Sequence, residues 1–482
     1  MNTGEFPGYE FEVPRGPVSD PRHGTEHDSL RQLRYTPQHA HESRSPVLAA
    51  GSGVLGVMRR RNWLVGLAAP IMAAIAVGVA VVVVAGGSGG NGTAPSALAA
   101  GFPPARQAGP VFTGTAGVSR VVLAAIGASA GTEVAAGGFN GGPALWVSTD
   151  GGSEWARTVL DGEASLTRAG SGQLAAVAHG RAGWVAVGTT LGGTGGALVA
   201  SSADARTWAV GDGSGGLGGG GAVASAVAAG PAGYVIVGHK PAAADGAAVP
   251  AAWFAPGLAG WRPAAIAGLG TTAALDAGQE MNAVAATKRG FTAVGASGSR
   301  PSAWLSAAGS TWRQVLLPAP GGAARAALDY VAANGASIVA AGTEFTAAGA
   351  SRPFAEVSAD GGTTWTAVQL PVPGIGPGTG TTVTALTAAG GGFTAAGTYV
   401  TKAGPEVVVW TLSPGTPVTS GTAWASLTPQ GFGLAGAAAE NAITALAADG
   451  ATLTGTGFTA SLSASGTPGA QQPTLWQSPI RY

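Results

Sequence analysis

Between residues 118 and 482 the chain restates one pattern seven times. Each copy has a short apolar run, a β-rich stretch ending in glycine, and a second β-rich stretch that runs into a turn closed by tryptophan. The glycine-ended stretches align as Glu133 to Gly137, Trp184 to Gly188, Tyr234 to Gly238, Phe291 to Gly295, Ile338 to Gly342, Phe393 to Gly397 and Leu453 to Gly457. The period is about 50 residues, the length of one four-stranded antiparallel unit that cannot bury its apolar face alone and must stack on its neighbours. Aromatic and β-branched residues alternating with alanine, as in Trp184-Val185-Ala186-Val187-Gly188, suit strands packed between two such units. The expected class is therefore all-β.

Tryptophan marks the remaining strands. It recurs in the third strand as Trp146, Trp253, Trp304, Trp410 and Trp476, and opens the fourth as Trp155, Trp208, Trp261, Trp312, Trp365 and Trp424. Regularly spaced indoles argue for a packed repeat despite the abundance of glycine, and their expected place is between units. Seven such sheets around one axis make a seven-bladed β-propeller. The seventh unit stops at Thr474-Leu475-Trp476-Gln477-Ser478-Pro479-Ile480-Arg481-Tyr482, before a fourth strand. The segment Gly109-Pro110-Val111-Phe112-Thr113-Gly114 has no role in the first unit, so it is expected to complete the last blade and seal the ring, removing exposed sheet edges.

Two turns are complete copies of one another: Ser148-Thr149-Asp150-Gly151-Gly152-Ser153-Glu154-Trp155 and Ser358-Ala359-Asp360-Gly361-Gly362-Thr363-Thr364-Trp365. Serine and aspartate side chains accept bonds from backbone N–H groups there, and glycine supplies positive φ. Weaker copies follow in register, Ser202-Ala203-Asp204-Ala205-Arg206-Thr207-Trp208 one residue shorter and Ser306-Ala307-Ala308-Gly309-Ser310-Thr311-Trp312 without the aspartate. These turns resemble the Asp-box (BNR) repeat of sialidase-like β-propellers. The resemblance implies that Ser148, Asp150, Gly152, Trp155, Asp204, Trp208, Ser358, Asp360, Gly362 and Trp365 are structural and lie at the periphery, away from any ligand. Each box offers one carboxylate where calcium wants six to eight oxygens, so no metal is expected at them.

The resemblance stops at architecture. Sialidases use three arginines, a tyrosine nucleophile with a glutamate partner, and an aspartate acid/base, announced by an Arg-Ile-Pro signature in the first blade. That signature is missing, and Arg300-Pro301 and Arg352-Pro353 fall in later blades. A glycosidase of another kind needs two facing carboxylates, and Asp161, Glu163, Asp245, Asp276, Glu280, Asp329, Glu344, Glu406 and Glu440 are candidates that sequence cannot pair. No nucleophile elbow, zinc-protease helix or phosphate loop occurs, and the chain has no cysteine, so no cofactor is implied.

Residues Trp63 to Ala85 contain no charge and, at about 1.5 Å per residue, are long enough for a hydrocarbon core of about 30 Å. Arg59-Arg60-Arg61 precedes them and no lysine or arginine follows until Arg106. The positive-inside rule then leaves the N-terminus in the cytoplasm and everything beyond residue 86 outside. The expected organisation is a disordered cytoplasmic tail at 1–58, a transmembrane signal anchor at 59–86, a Gly/Ser/Ala-rich linker at 87–100 and an extracytoplasmic propeller at 101–482. A cleaved signal peptide is the rival reading, disfavoured by the long preceding segment and the length of the apolar run. The four histidines of the tail, His23, His27, His39 and His41, are too loosely spaced and lack the cysteine partners of a metal site.

Acidic and basic residues balance at 24 each, so no field attracts nucleic acid. Loops joining second to third strands share one face with the connections between blades, and charge gathers there. The first set holds His239, Lys240, Asp245, Arg300, Glu344, Arg352, Tyr399, Lys402 and Glu406, the candidate ligand-binding residues. The second holds Asp161, Glu163, Arg168, Asp276, Glu280, Arg325, Asp329 and Glu440. The expectation is a membrane-tethered interaction or assembly module for an envelope protein or component. The alternative is a carbohydrate-binding or glycoside-hydrolysing propeller, and a third reading has the tail report external binding.

Overall fold

The structure is a computed structural model, and it describes residues 121–161, 171–191, 195–211, 214–242, 247–268, 278–372, 380–401, 404–429, 441–462 and 468–480. These residues form a seven-bladed, all-β propeller. Blade one is Val121–Ser129, Thr132–Phe139, Gly142–Ser148 and Ala156–Thr158, each antiparallel to the next in chain order. The same order repeats in the following blades. The innermost strands are Val121–Ser129, Ser171–Gly180, Val223–Gly230, Gln279–Thr287, Ala323–Asn334, Thr381–Ala389 and Asn441–Asp449. Each touches its successor and the last touches the first, so the ring is closed. Across that closure Thr444 Oγ1 donates to the Leu123 carbonyl at 2.7 Å, and Thr454 Oγ1 donates to Glu133 Oε1 at 2.7 Å.

Blade seven has three strands among the described residues, Asn441–Asp449, Thr452–Leu462 and Pro468–Pro479. The expected closing segment 109–114 lies outside the described residues, as do the predicted tail, anchor and linker. Among the described residues no helix is long and apolar enough to cross a membrane. Two short strands were not foreseen: Leu160–Asp161 runs parallel to Trp208–Val210, and Ala265–Ala267 runs parallel to Thr311–Leu316. Each connection thereby lends its successor a fifth strand.

The indoles pack where expected. Trp253 clusters with Val185, Val187 and Val199 of blade two, and Trp410 with Val339, Ala341 and Val357 of blade five. A third-strand tryptophan thus fills the seam to the preceding blade, an apolar burial of about 150–250 Å² each. Trp365 is only half-buried, unlike the other fourth-strand indoles.

One expectation is corrected. The glycines aligned as the ends of second strands lie inside them, since Thr132–Phe139 and Gly233–Pro241 continue past Gly137 and Gly238. In all seven blades a β-bulge in the inner strand sits opposite that glycine, for example between Leu123 and Ala125 and between Met281 and Ala283. A Cβ on Gly137 would collide with the carbonyl oxygen of Val122, and one on Gly342 with that of Ala327. The glycine marks where the bulged backbone presses in, so close approach rather than strand termination requires it.

Candidate functional site

Antiparallel order sends the turns of each blade to two ends of the propeller. At one end, turns joining inner to second strands meet the Asp-box turns: Gly151 N–H donates to the Gly131 carbonyl at 2.9 Å and Gly361 N–H to the Ala336 carbonyl at 2.8 Å. The boxes are internally satisfied. Asp360 Oδ1 accepts the Ser358 hydroxyl and the N–H groups of Thr363 and Thr364, each at 2.9 Å. Buried Ser358 Oγ in turn accepts Gly362 N–H at 2.8 Å, and Trp365 Nε1–H donates to the Gly362 carbonyl at 3.0 Å. Blade one repeats this through Ser148, Asp150, Gly152 and Trp155. Backbone and hydroxyl donors hold the Asp204 and Asp360 carboxyls down to about 2 and lower that of Asp150 as well. The shortened box keeps the geometry by placing Ala205 at φ 62°, with Trp208 Nε1–H donating to its carbonyl at 2.7 Å. Among the described residues no group of three or more potential metal ligands occurs.

The other end, called upper here, carries the hairpins between second and third strands and the connections between blades. Lys240 and Arg300 are exposed there, with no ion pair to a described residue. All seven described candidates prove to be strand residues rather than loop residues, and three of them are buried. His239 is buried in Gly233–Pro241, and burial pushes its imidazole down to about 4. Glu344 is fully buried in Ser337–Thr346 and faces the Arg352 guanidinium at 4.0 Å; burial raises its carboxyl, partly opposed by Arg352. Tyr399 is buried and donates to Glu406 Oε2 at 2.7 Å, with Thr428 Oγ1 at 3.4 Å, and burial raises its hydroxyl. The structure therefore brings together Glu344 with Arg352 and Tyr399 with Glu406 as cross-strand pairs. Asp245 and Lys402 lie outside the described residues.

Of the second set, Asp161 is exposed, while Glu163, Arg168, Asp276 and Glu440 lie outside the described residues. Glu280, Arg325 and Asp329 belong to the inner strands of blades four and five, not to connections. Burial raises Glu280 to about 7, helped by the Asp329 charge and opposed by Arg325. Burial also raises Asp329 to about 6, opposed by a 3.2 Å bond from the Asn282 side-chain amide and by Arg325. The Arg325 guanidinium lies over the Phe345 ring, 4.4 Å from its centre. Two coupled carboxyls that titrate near neutrality can hold or release a proton there.

Asn282 and Asp329 occupy the extra residue of the bulge, as do Thr384 and Thr444. From this position Asn282 donates to the Leu328 carbonyl at 3.1 Å, Thr384 to Ile443 at 2.6 Å and Thr444 to Leu123 at 2.7 Å. Each is a stitch to the next blade. The signal for them was present as a polar residue after an apolar one in Met281-Asn282-Ala283, Val383-Thr384-Ala385 and Ile443-Thr444-Ala445. Glu356 was missed as well. Its partner across the sheet is Ala340, and the equivalent position holds tryptophan in blades one, three, four, six and seven. Glu356 is fully buried, neither carboxyl oxygen has a partner, and burial raises it to about 8.

No protein-family model matches the sequence, and no curated protein is similar to it. Solved structures match it at low identity. Kuenenia stuttgartiensis hydrazine synthase is 10% identical over 76% of this chain and 99% of that one, with a TM-score of 0.43. YCF48 bound to D1 peptide is 15% identical over 57% of this chain and 74% of that one, at 0.34. Trypanosoma rangeli sialidase with the inhibitor DANA is 13% identical over 75% of this chain, at 0.37, and the match spans 55% of the sialidase.

Proposed function

We propose that this chain is a non-enzymatic interaction module, an extracytoplasmic propeller tethered to a membrane that binds an envelope protein through its upper end. The observation that carries the reading is that Lys240, Arg300 and Arg352 stand on the second-to-third-strand hairpins of three consecutive blades, although the Asp-box end exposes Arg181, Arg206, Lys288 and Arg289 as well. Lys240, Arg300 and Arg352 present charge at the upper end, whereas the Asp-box carboxylates accept bonds from their own turns. Exposed charges set partner choice and encounter rate more than they set stability. In this reading the apolar segment 63–85 is the anchor, 87–100 the spacer, and strand 109–114 completes blade seven.

The test is capture from solubilised envelope with the full-length chain in detergent. A variant with Lys240, Arg300, Arg352 and Lys402 replaced by alanine is run beside it, after both show the same thermal unfolding. A protein retained by the native chain and lost by the variant supports the reading, and equal capture by both rejects it.

The Glu280 and Asp329 pair favours a second reading, a glycoside-processing site at the inner strands of blades four and five. Acid/base hydrolysis needs one carboxyl that holds its proton near neutrality beside another that does not. Turnover of a glycoside panel, abolished by Asp329→Asn, would support it over the binding module.

A further inference from the structure

The seams between blades are not equally satisfied. Between blades two and three, Trp253 Nε1–H donates to the Gly215 carbonyl at 3.1 Å. In the same seam Tyr234 donates its hydroxyl to the Gly183 carbonyl at 2.8 Å and accepts Ala182 N–H at 3.1 Å. Between blades three and four the pattern reverses. Val235 and Val237 cluster there with Met281, Ala293 and Trp304. Strand alternation turns His239 into this seam beside Val237, and turns Gln279 and Ser302 into it from blade four, two residues from Met281 and Trp304. All three side chains are at least nine-tenths buried.

None of them finds a partner for its inward atoms. His239 Nδ1, Gln279 Oε1 and Nε2, Ser302 Oγ and Trp304 Nε1 are buried without a hydrogen bond, as is Nε2 of Gln314, which lies across the sheet from Trp304. Ser225 holds the bulge position from which Asn282, Thr384 and Thr444 stitch one blade to the next, yet its hydroxyl is unpaired too. A buried donor or acceptor that gives up water and gains nothing in return is destabilised, and exposure restores its bonds. Closing this seam therefore gains less than closing its neighbour, and local openings are drawn from the least stable contacts of a fold.

We infer that the ring opens at the upper half of the seam between blades three and four, a conformational device that admits water to His239, Gln279 and Ser302. This does not depend on the binding reading. The seam ends at Arg300, so opening changes the spacing between Lys240 on blade three and Arg300 on blade four.

Hydrogen–deuterium exchange of the full-length chain in detergent, read by mass spectrometry, tests it. The expected result is exchange at least tenfold faster in Gly290–Ser297, which lines this seam, than in the matching second strand Gly183–Leu191 of blade two, which does not. A His239→Leu, Gln279→Leu, Ser302→Ala variant replaces the unpaired atoms with apolar ones and should bring the two rates within threefold. Wild-type rates that already agree within threefold would overturn the inference. So would a folded variant, with unchanged thermal unfolding, that keeps the tenfold difference. If the variant does not fold, the wild-type comparison of the two strands decides alone.

Discussion

At the Asp-box end of blade five, one carboxylate oxygen of Asp360 takes two backbone N–H groups and a hydroxyl, and the Trp365 indole closes the turn. At the upper end of the same blade, Glu344 is buried with only a 4.0 Å approach from Arg352, and Arg352 itself is 45% exposed. The first arrangement satisfies its own polar groups and leaves few for a ligand. The second leaves charge that a partner can meet. A repeat that folds identically at every copy can therefore fix one end and vary the other, which is how one architecture carries unrelated activities.

The largest test of this contrast lies at the bulge that shapes the upper half of each blade. Gly342→Ala puts a methyl group against the Ala327 carbonyl and should destabilise the protein by about 3 kcal/mol, measured by urea unfolding. At the opposite end, Ser358→Ala removes the buried acceptor for Gly362 N–H and should remove about 1–3 kcal/mol in the same assay. Binding partners, once identified, should be lost by the first change and kept by folded molecules of the second.

A pH-dependent effect follows from proton linkage. Glu356 titrates from about 4.5 unfolded to about 8 folded, so the native state binds more protons between those values. Its contribution is full below pH 4.5 and is lost as pH rises through 8. Thermal midpoints should fall between pH 5 and pH 9 for the native chain and fall less for Glu356→Gln. His239 acts in the opposite sense. Its folded value near 4 lies below the ordinary 6.5, so its contribution is present above 6.5 and lost as pH falls towards 4. The smallest stability change belongs to Lys240→Ala and Arg300→Ala, which should stay within about 0.5 kcal/mol of the native chain in urea. A larger change would mean that these side chains hold the fold rather than face a partner.

The propeller was legible because each blade repeats the same burial problem. Tryptophan at Trp146, Trp253, Trp304, Trp410 and Trp476 fixes the register of third strands, and Ser-x-Asp turns fix the ends they enter. The bulge was misread because a glycine that ends a strand and one that admits a neighbouring carbonyl look alike in one dimension, and only the pairing of Leu123 and Ala125 separates them. The site was less legible. Strand extension past Gly238, Gly342 and Gly397 carried His239, Glu344 and Tyr399 from presumed loops into the sheet, where alternation buries them. Glu356 was invisible because its meaning depends on the tryptophan it replaces.

The most direct test of the binding account compares the two ends in one experiment. A photo-cross-linking residue is placed at Arg300 or at Ser153, an exposed Asp-box position, in the whole chain expressed in its own cells. The account predicts that irradiation yields a defined protein adduct from position 300 and none from position 153. Adducts from position 153 with none from position 300 would contradict it and assign recognition to the Asp-box end.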